Sequence, residues 1–463
     1  MRQKTIKNSV AIAGVGIHTG VSTQIRLMPA KANSGIRFIR TDLANNPTID
    51  ANVDNVFSTE RSTDLKQGGA EIKTVEHLLA AVVGANIDNL IIEVDNIEIP
   101  ILDGSAKEFS DLIATVGITD LNANKIFFEI KRKISLTDKE TGTILTATPA
   151  DEYQVEVEID YNSKVLGVQN ASLKSITDFK EEISSSRTFC FLHELETLLD
   201  NNLIKGGNLN NAIVVVEQKI EKEKLLKLAQ AFNKKDIKVT KGGTLNNLTL
   251  RHHNEPARHK LLDVVGDLSL LGRPIKGKIT ATKPGHKNNI KFAKYLKNII
   301  IEEMKKTAPE IDFNEAPLYD KNKIKSILPH REPFLFLDEI RGITDDSIIG
   351  VKYVTADEDY FKGHFPEEPV MPGVLQLETM AQAGGVLILN SVDNPKDYLT
   401  FFMKIDNAKF KKKVVPGDTI IFRLNLISPI RRGLCHMHGK GFVEEKVVVE
   451  GDLLAQIVPK NKI

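Results

Sequence analysis

Two groups of residues in this chain have the types and spacing to do chemistry. In His259-Lys260-Leu261-Leu262-Asp263 an imidazole and a carboxylate stand four residues apart, and Asp267 follows after four more. On a helix that spacing stacks side chains on one face, one turn apart, which suits two ligands on one ion. Glu76-His77, inside Thr74-Val75-Glu76-His77-Leu78, can supply a third ligand. Two imidazoles and one carboxylate leave a fourth position for water, the pattern of catalytic zinc, which lowers the pKa of that water to roughly 7. By itself a His-x-x-x-Asp pair is more often a surface hydrogen bond than a ligand pair.

The second group lies toward the carboxy terminus, where Phe361-Lys362-Gly363-His364-Phe365-Pro366 precedes Met371-Pro372-Gly373-Val374-Leu375-Gln376-Leu377-Glu378. Pro372 and Gly373 fit the opening turn of a long apolar helix, where backbone N–H groups lack intrahelical partners. Glu378 sits among Leu375, Leu377 and Met380, and a carboxyl in apolar surroundings tends to keep its proton. With His364 as base, this is an acid–base pair at a helix N-terminus, an arrangement suited to eliminating water. The plainer alternative is a solvated glutamate and a loop histidine.

The elements that must position these groups can be read from periodicity. Thr74 to Val83 reads as a helix with Thr74 as N-cap, Asn89 to Val94 as a buried strand, and Val155 to Ile159 as a half-buried strand. A short apolar strand is expected at Ala212 to Val216. Lys260 to Leu271 has helical spacing, and Lys291 to Met304 a final helix. Residues 305–322, with Pro309, Asn314 and Pro317, read as a linker. Beyond it, one apolar helix from Gly373 to Leu389 is expected inside an antiparallel sheet, with strand runs at 419–426, 433–443 and 446–456.

Composition narrows the partners and the chemistry. The chain has 463 residues, enough for two or three domains, with 41% hydrophobic and 27% charged residues. A net charge of +1 gives no global field for nucleic acid, so no nucleic-acid partner is expected. Cys190 and Cys435 are far apart and outside any CxxC pattern, so a bound metal must use His, Asp and Glu. No segment reaches the ~20 apolar residues of a membrane span. Val10 to Ile17, broken by Gly14 and Gly16, reads as strand and turn, not as a signal peptide. A cytoplasmic protein is expected.

Six words occur in order over residues 1–303: Gly14-Val15-Gly16-Ile17-His18-Thr19-Gly20, Thr74 to Leu78, Ile99-Pro100-Ile101-Leu102-Asp103-Gly104-Ser105-Ala106, Ser186-Arg187-Thr188-Phe189, Arg258 to Asp263, and Gly285-His286-Lys287-Asn288-Asn289. This series resembles the UDP-3-O-acyl-N-acetylglucosamine deacetylases, which act on the sugar precursor of lipid A. The resemblance implies an α+β fold with two duplicated α/β-sandwich domains, 1–125 and 126–304. It implies zinc (Zn2+) on His77, His259 and Asp263, with Glu76 as general base. Thr188 would stabilise the oxyanion, and His286, kept cationic by Asp267, would stabilise charge or protonate the leaving amine. Lys260 and Phe189 match substrate-contacting positions, although Phe189 could equally be core and Asp267 a helix cap. His18, His252 and His253 receive no catalytic role.

Residues 321–460 carry a second series: Leu328-Pro329-His330-Arg331-Glu332-Pro333-Phe334-Leu335, Gly363 to Pro366, Pro372 to Gln382, Phe410 to Asp418, and Arg431-Arg432-Gly433. They resemble the 3-hydroxyacyl-acyl-carrier-protein dehydratases, which implies a hot-dog fold over 323–463. There His364 would remove the C2 proton, the Gly373 N–H would polarise the thioester carbonyl, and Glu378 would protonate the departing hydroxyl. The family site forms across a dimer, so a homo-oligomer through this domain is expected; His330 is read as structural. The basic run Lys409, Lys411, Lys412, Lys413 with Arg431 and Arg432 is either a solvated face, the usual explanation of such a run, or a docking site for an acidic acyl carrier protein. Together the resemblances imply a bifunctional enzyme acting on a UDP-sugar lipid and a carrier-bound acyl chain. The alternative is that one half is degenerate and serves as a carrier-binding or oligomerising module.

Overall fold

A computed structural model describes residues 1–195, 205–206, 211–218, 220, 223, 225–226, 229, 237–304, 307–390, 392, 394–428, 430 and 433–460. The chain divides into two compact units, Met1–Ile300 and Ile301–Ile463.

The first unit repeats one topology twice. Its first sheet runs in the order Val10–Val15, Ser22–Pro29, Leu90–Val94, Ile36–Arg40, Thr48–Asp50. Every pairing is antiparallel except that of Ile36–Arg40 with Leu90–Val94. The second sheet runs Ile134–Asp138, Thr143–Thr148, Ile275–Thr282, Tyr153–Ile159, Gln169–Leu173, again with one parallel pair, Tyr153–Ile159 with Ile275–Thr282. In both sheets the last strand in sequence enters the middle, and in both a helix precedes it: Glu76–Gly84 before Leu90–Val94, Glu255–Ser269 before Ile275–Thr282. Those two helices carry Glu76, His77, His259, Asp263 and Asp267. The duplicated α+β architecture is therefore present.

Alternation fits each strand to a half-covered sheet: in Ser22–Pro29 residues Thr23, Ile25 and Leu27 are buried, and in Ile275–Thr282 so are Ile275, Gly277, Ile279 and Ala281. The helices bury most of their surface. Leu78, Leu79 and Val82 from one, and Leu261, Leu262, Val264 and Val265 from the other, belong to a single core running from Ile6 to Ile300.

In the second unit one helix, Gly373–Leu389, lies against a six-stranded antiparallel sheet ordered Glu339–Ile343, Ser347–Tyr353, Thr419–Leu426, Leu434–Val443, Lys446–Pro459, Tyr398–Phe410. This is the expected hot-dog arrangement. The helix can seat closely because Gly439 leaves room on the sheet for the Met380 side chain. A separate core holds Met380, Ala383, Val386 and Leu387 with Ile420, Phe422, Leu424 and Met437. The edge strand Tyr398–Phe410 leaves Phe401, Phe402, Met403 and Ile405 exposed.

Three local expectations change. Thr74 does not cap its helix: it takes a positive φ of 59°, its hydroxyl donates to Glu98, and the helix begins at Glu76. The last helix of the first unit starts at His286, five residues before Lys291, so His286 opens that helix. The stretch read as linker is partly structured. Tyr319 pairs with Ile340, and Asp320 caps a short helix, Lys321–Ile327.

Candidate active sites

The expected metal ligands come from the two pseudo-equivalent helices, which cross at Gly266. A Cβ there would overlap the Glu76 carbonyl oxygen, so the close approach depends on glycine. The crossing brings His77, His259 and Asp263 together, with one ligand atom of each within 4.8 Å of the others, all buried. His259 Nε2 is 3.4 Å and His77 Nε2 3.8 Å from Asp263 Oδ1. His259 Nδ1 donates to the Ser186 carbonyl at 3.1 Å, which fixes the tautomer and turns the Nε2 lone pair toward the centre. Burial lowers the pKa of both imidazoles, His77 to about 3, so both are neutral, as ligands must be.

These residues fit a cation. Asp263 Oδ1 is buried and takes no hydrogen bond among the described residues, while Oδ2 accepts from Lys260 Nζ at 2.7 Å. Burial opposes the Asp263 charge, but the Lys260 ammonium and the His286 imidazolium hold its pKa below the usual carboxylate range. Lys260 and His286 face Asp263 and Asp267, and Glu76, the third buried carboxyl, adds a negative charge only when ionised. An unbonded Asp263 oxygen beside two neutral imidazoles is a donor set that suits a divalent cation.

The acid–base groups surround the same point. His286 Nδ1 donates to Asp267 Oδ2 at 2.9 Å, and its Nε2 lies 4.0 Å from Glu76 Oε1 and 3.9 Å from Asp263 Oδ2. Burial works against the imidazolium, yet Asp267 and Asp263 raise its pKa to about 10. Burial pushes Glu76 up to about 8, against the pull of His286. A proton-avid carboxylate and a persistent imidazolium thus flank one centre, the polarity wanted in a base and an acid that work in sequence.

Around this core, Thr188 is anchored through its backbone, its N–H donating to the Gly104 carbonyl and its carbonyl accepting from Ile213. Phe189, on the short strand Phe189–Phe191, is half-buried and meets His259 edge-on at 6.5 Å, with Tyr161 against it at 5.6 Å. Lys260 lies 5.7 Å over the Phe189 ring and pairs with Asp263, a contact the sequence reading did not include. His252 contacts Ser185 and not the ligand cluster.

Sequence reasoning missed two residues here. Thr63 donates its N–H to Glu76 and its hydroxyl to Asp267. Glu98, fully buried, accepts from the N–H groups of His18 and Thr19 and from the hydroxyls of Thr19 and Thr74, tying the Gly16–Thr19 turn to the start of the first helix.

In the second unit Gly373 opens its helix as expected, and the Phe410 ring occupies the space where a Cβ would stand. His364 Nδ1 donates to the Val370 carbonyl at 2.8 Å, leaving Nε2 as the basic nitrogen. Glu378 Oε1 accepts from Gln382 Nε2 at 3.1 Å. The same amide is clamped by the Phe336 and Leu337 N–H groups and the Phe334 carbonyl. His330, read as structural, stands 3.6 Å from Glu378 and stacks on Phe334. Among the described residues of one chain, no hydrogen bond or ion pair joins His364 to Glu378. The basic run is partly neutralised: Lys409 and Lys411 pair with Glu450, and Lys413 with Glu368. Arg431 and Arg432 lie outside the described residues.

Known proteins resemble both units. The family model described as LpxC, UDP-3-O-acyl N-acetylglycosamine deacetylase, matches residues 3–237 and 229–298, and the FabA-like domain matches 328–452. A protein of Bacteroides thetaiotaomicron named bifunctional enzyme LpxC/FabZ is 48% identical over 463 residues, covering 100% of both chains. One of the same name from Porphyromonas gingivalis is 45% identical over 461 residues, covering 100% of this chain and 99% of its own. A UDP-3-O-acyl-N-acetylglucosamine deacetylase of Thioalkalivibrio sulfidiphilus is 38% identical over 299 residues, covering 64% of this chain and 90% of its own.

The helix crossing makes a direct prediction. In a helix interior Gly→Ala normally adds up to ~1 kcal/mol of stability. Gly266→Ala should instead destabilise the first unit by about 1–3 kcal/mol through overpacking and weaken metal binding at His77, His259 and Asp263. Thermal unfolding and zinc per chain are the measurements; a variant as stable and as zinc-replete as the parent would refute the close-approach argument.

Proposed function

The chain belongs to the bifunctional LpxC/FabZ enzymes, and from that premise we propose how its residues divide the two reactions. It is a hydrolase and a lyase on one polypeptide, serving lipid A and fatty acid biosynthesis. The amino-terminal unit removes the 2-acetyl group of UDP-3-O-(3-hydroxyacyl)-N-acetylglucosamine. The carboxy-terminal unit dehydrates 3-hydroxyacyl carrier protein to the trans-2-enoyl form. We assign residues 1–125 and 126–304 to the two deacetylase halves, 305–322 to the linker and 323–463 to the dehydratase. In support, strand Ile118–Asn124 pairs back onto Arg2–Ile6, whereas Phe128–Glu129 pairs with Ile275–Thr282.

The observation that carries the deacetylase reading is the buried His77, His259, Asp263 triangle with an orphaned carboxylate oxygen at its centre. These residues would hold zinc, which when bound supplies a Lewis acid and an acidified water. Glu76 takes the proton of the attacking water. The Thr188 hydroxyl donates to the oxyanion of the tetrahedral intermediate, and His286, held cationic by Asp267, delivers a proton to the departing sugar amine. Lys260 and Phe189 contact the substrate beside the ligand cluster.

In the dehydratase His364 Nε2 removes the C2 proton, the Gly373 N–H polarises the thioester carbonyl, and Glu378, oriented by Gln382, protonates the leaving hydroxyl. The pair is completed between two copies. The exposed apolar residues of the edge strand Tyr398–Phe410 support pairing through this unit, as does the separation of His364 from Glu378 into different local networks. Acyl carrier protein docks on the lysine run. No described helix is long and apolar enough to cross a membrane, in keeping with a cytoplasmic enzyme.

Chelation should abolish deacetylation and leave dehydration intact; His77→Ala should reproduce the first effect, and His364→Ala should silence only dehydration. Loss of both reactions on chelation would break this division. Mixing chains carrying His364→Ala with chains carrying Glu378→Gln should restore about a quarter of the dehydratase activity, since half the dimers are mixed and each has one intact site of two; no recovery would place the pair within one chain. Replacing Lys411, Lys412 and Lys413 by Ala should raise KM for carrier-bound substrate but not for a small thioester analogue, and equal effects on both would remove the docking role.

A further inference from the structure

Thr63 is fully buried and touches both halves of the deacetylase acid–base machinery. It lies just before strand Asp64–Gln67, 13 residues from Glu76 and 204 from Asp267. Its backbone N–H donates to Glu76 Oε2 at 3.0 Å, and its carbonyl accepts from Val75 N at 3.2 Å, so its main chain is bound to the start of the base's helix. Its hydroxyl donates to Asp267 Oδ1 at 2.6 Å.

The donors around Asp267 are divided between its two oxygens. Oδ2 receives His286 Nδ1 at 2.9 Å and Asn289 Nδ2 at 2.8 Å. Oδ1 receives the Thr63 hydroxyl. A carboxylate held at one oxygen can still turn about its Cβ–Cγ bond, and the Thr63 bond to the other oxygen stops that rotation. The His286 Nδ1 proton is already directed at Asp267 Oδ2, so the 3.4 Å approach of Thr63 Oγ1 to Nδ1 is a contact and not a competing bond. The β-branch restricts χ1 of threonine, which keeps the hydroxyl aimed while the backbone serves Glu76.

We propose that Thr63 is a positioning residue for deacetylation, setting the separation and orientation of the Glu76 base relative to the Asp267–His286 acid by bonding to one carboxylate with its N–H and to the other with its hydroxyl. The inference rests on the roles proposed above for Glu76 and His286 and adds the residue that couples them. It touches neither substrate nor metal ligand and acts through the groups it holds.

Thr63→Val keeps the shape and the N–H but removes the hydroxyl, whereas Thr63→Ser keeps the hydroxyl. Thr63→Val should lower kcat for deacetylation by roughly 10- to 100-fold, the range seen for outer hydrogen-bond partners of catalytic groups, with KM and zinc content unchanged. Thr63→Ser should recover most of the loss. In 15N-histidine spectra the His286 Nδ1 proton should exchange with water faster in Thr63→Val than in the parent or in Thr63→Ser. Unchanged kcat in Thr63→Val, or equal loss in both variants together with zinc depletion, would overturn the proposal. If instead Glu76→Gln and His286→Ala retained deacetylation, the underlying assignment of base and acid would fail, which is a separate result.

Discussion

Two helices approach so closely at Gly266 that a backbone carbonyl of one occupies the side-chain space of the other, and the first unit depends on that contact. Each helix comes from one copy of the duplicated topology and precedes the strand that enters the middle of its sheet. One copy contributes Glu76 and His77, the other His259, Asp263 and Asp267. Neither copy has a ligand set alone. The site exists because the shared core presses the helices together, and Leu78, Leu79, Leu261 and Val265 lie in one continuous cluster. Burying so many ionisable groups is expensive; the arrangement holds because each charge faces an opposite one, Lys260 against Asp263 and His286 against Asp267.

The second unit solves a different problem by different means. The chemistry proposed for it uses the N–H groups at the start of one buried helix and two side chains held by neutral groups. Val370 orients His364, and Gln382 orients Glu378. Gln382 is itself bound to three backbone groups, so the carboxylate is aimed by a rigid amide and not by an opposing charge. Phe410, at the end of the edge strand, covers Gly373, which connects the strand at the rim of the sheet to the chemistry at the helix tip.

What could be read in the chain beforehand follows the range of the interactions. Periodicity located the helix Gly373–Leu389 and the strand Thr419–Leu426 to the residue, because both are long and mostly apolar on their buried sides. The His259–Asp263–Asp267 stripe was legible because helical spacing alone brings it together. Thr74 looked like a cap by residue type, but its hydroxyl is taken by Glu98, 24 residues away, and local pattern carries no trace of that. Thr63 and Glu98 were invisible for the same reason: their partners are set by the tertiary fold. His286 was assigned to a family word without its helix, which starts five residues before the Lys291 expected from spacing. The lysine run was read as free positive charge; its glutamate partners come from distant segments, Glu368 and Glu450.

The apolar interiors of the two units are distinct clusters, one ending at Ile300 and the other beginning at Ile324. Cooperativity in unfolding follows shared packing, so a chain with separate interiors is not described by a single two-state free energy of unfolding. A substitution that loosens one interior is felt by one reaction, while the other half keeps its own margin. Covalent joining therefore makes the two catalysts equal in number at synthesis without making them equal in durability, and heat or mutation can uncouple in lifetime what the gene couples in dose.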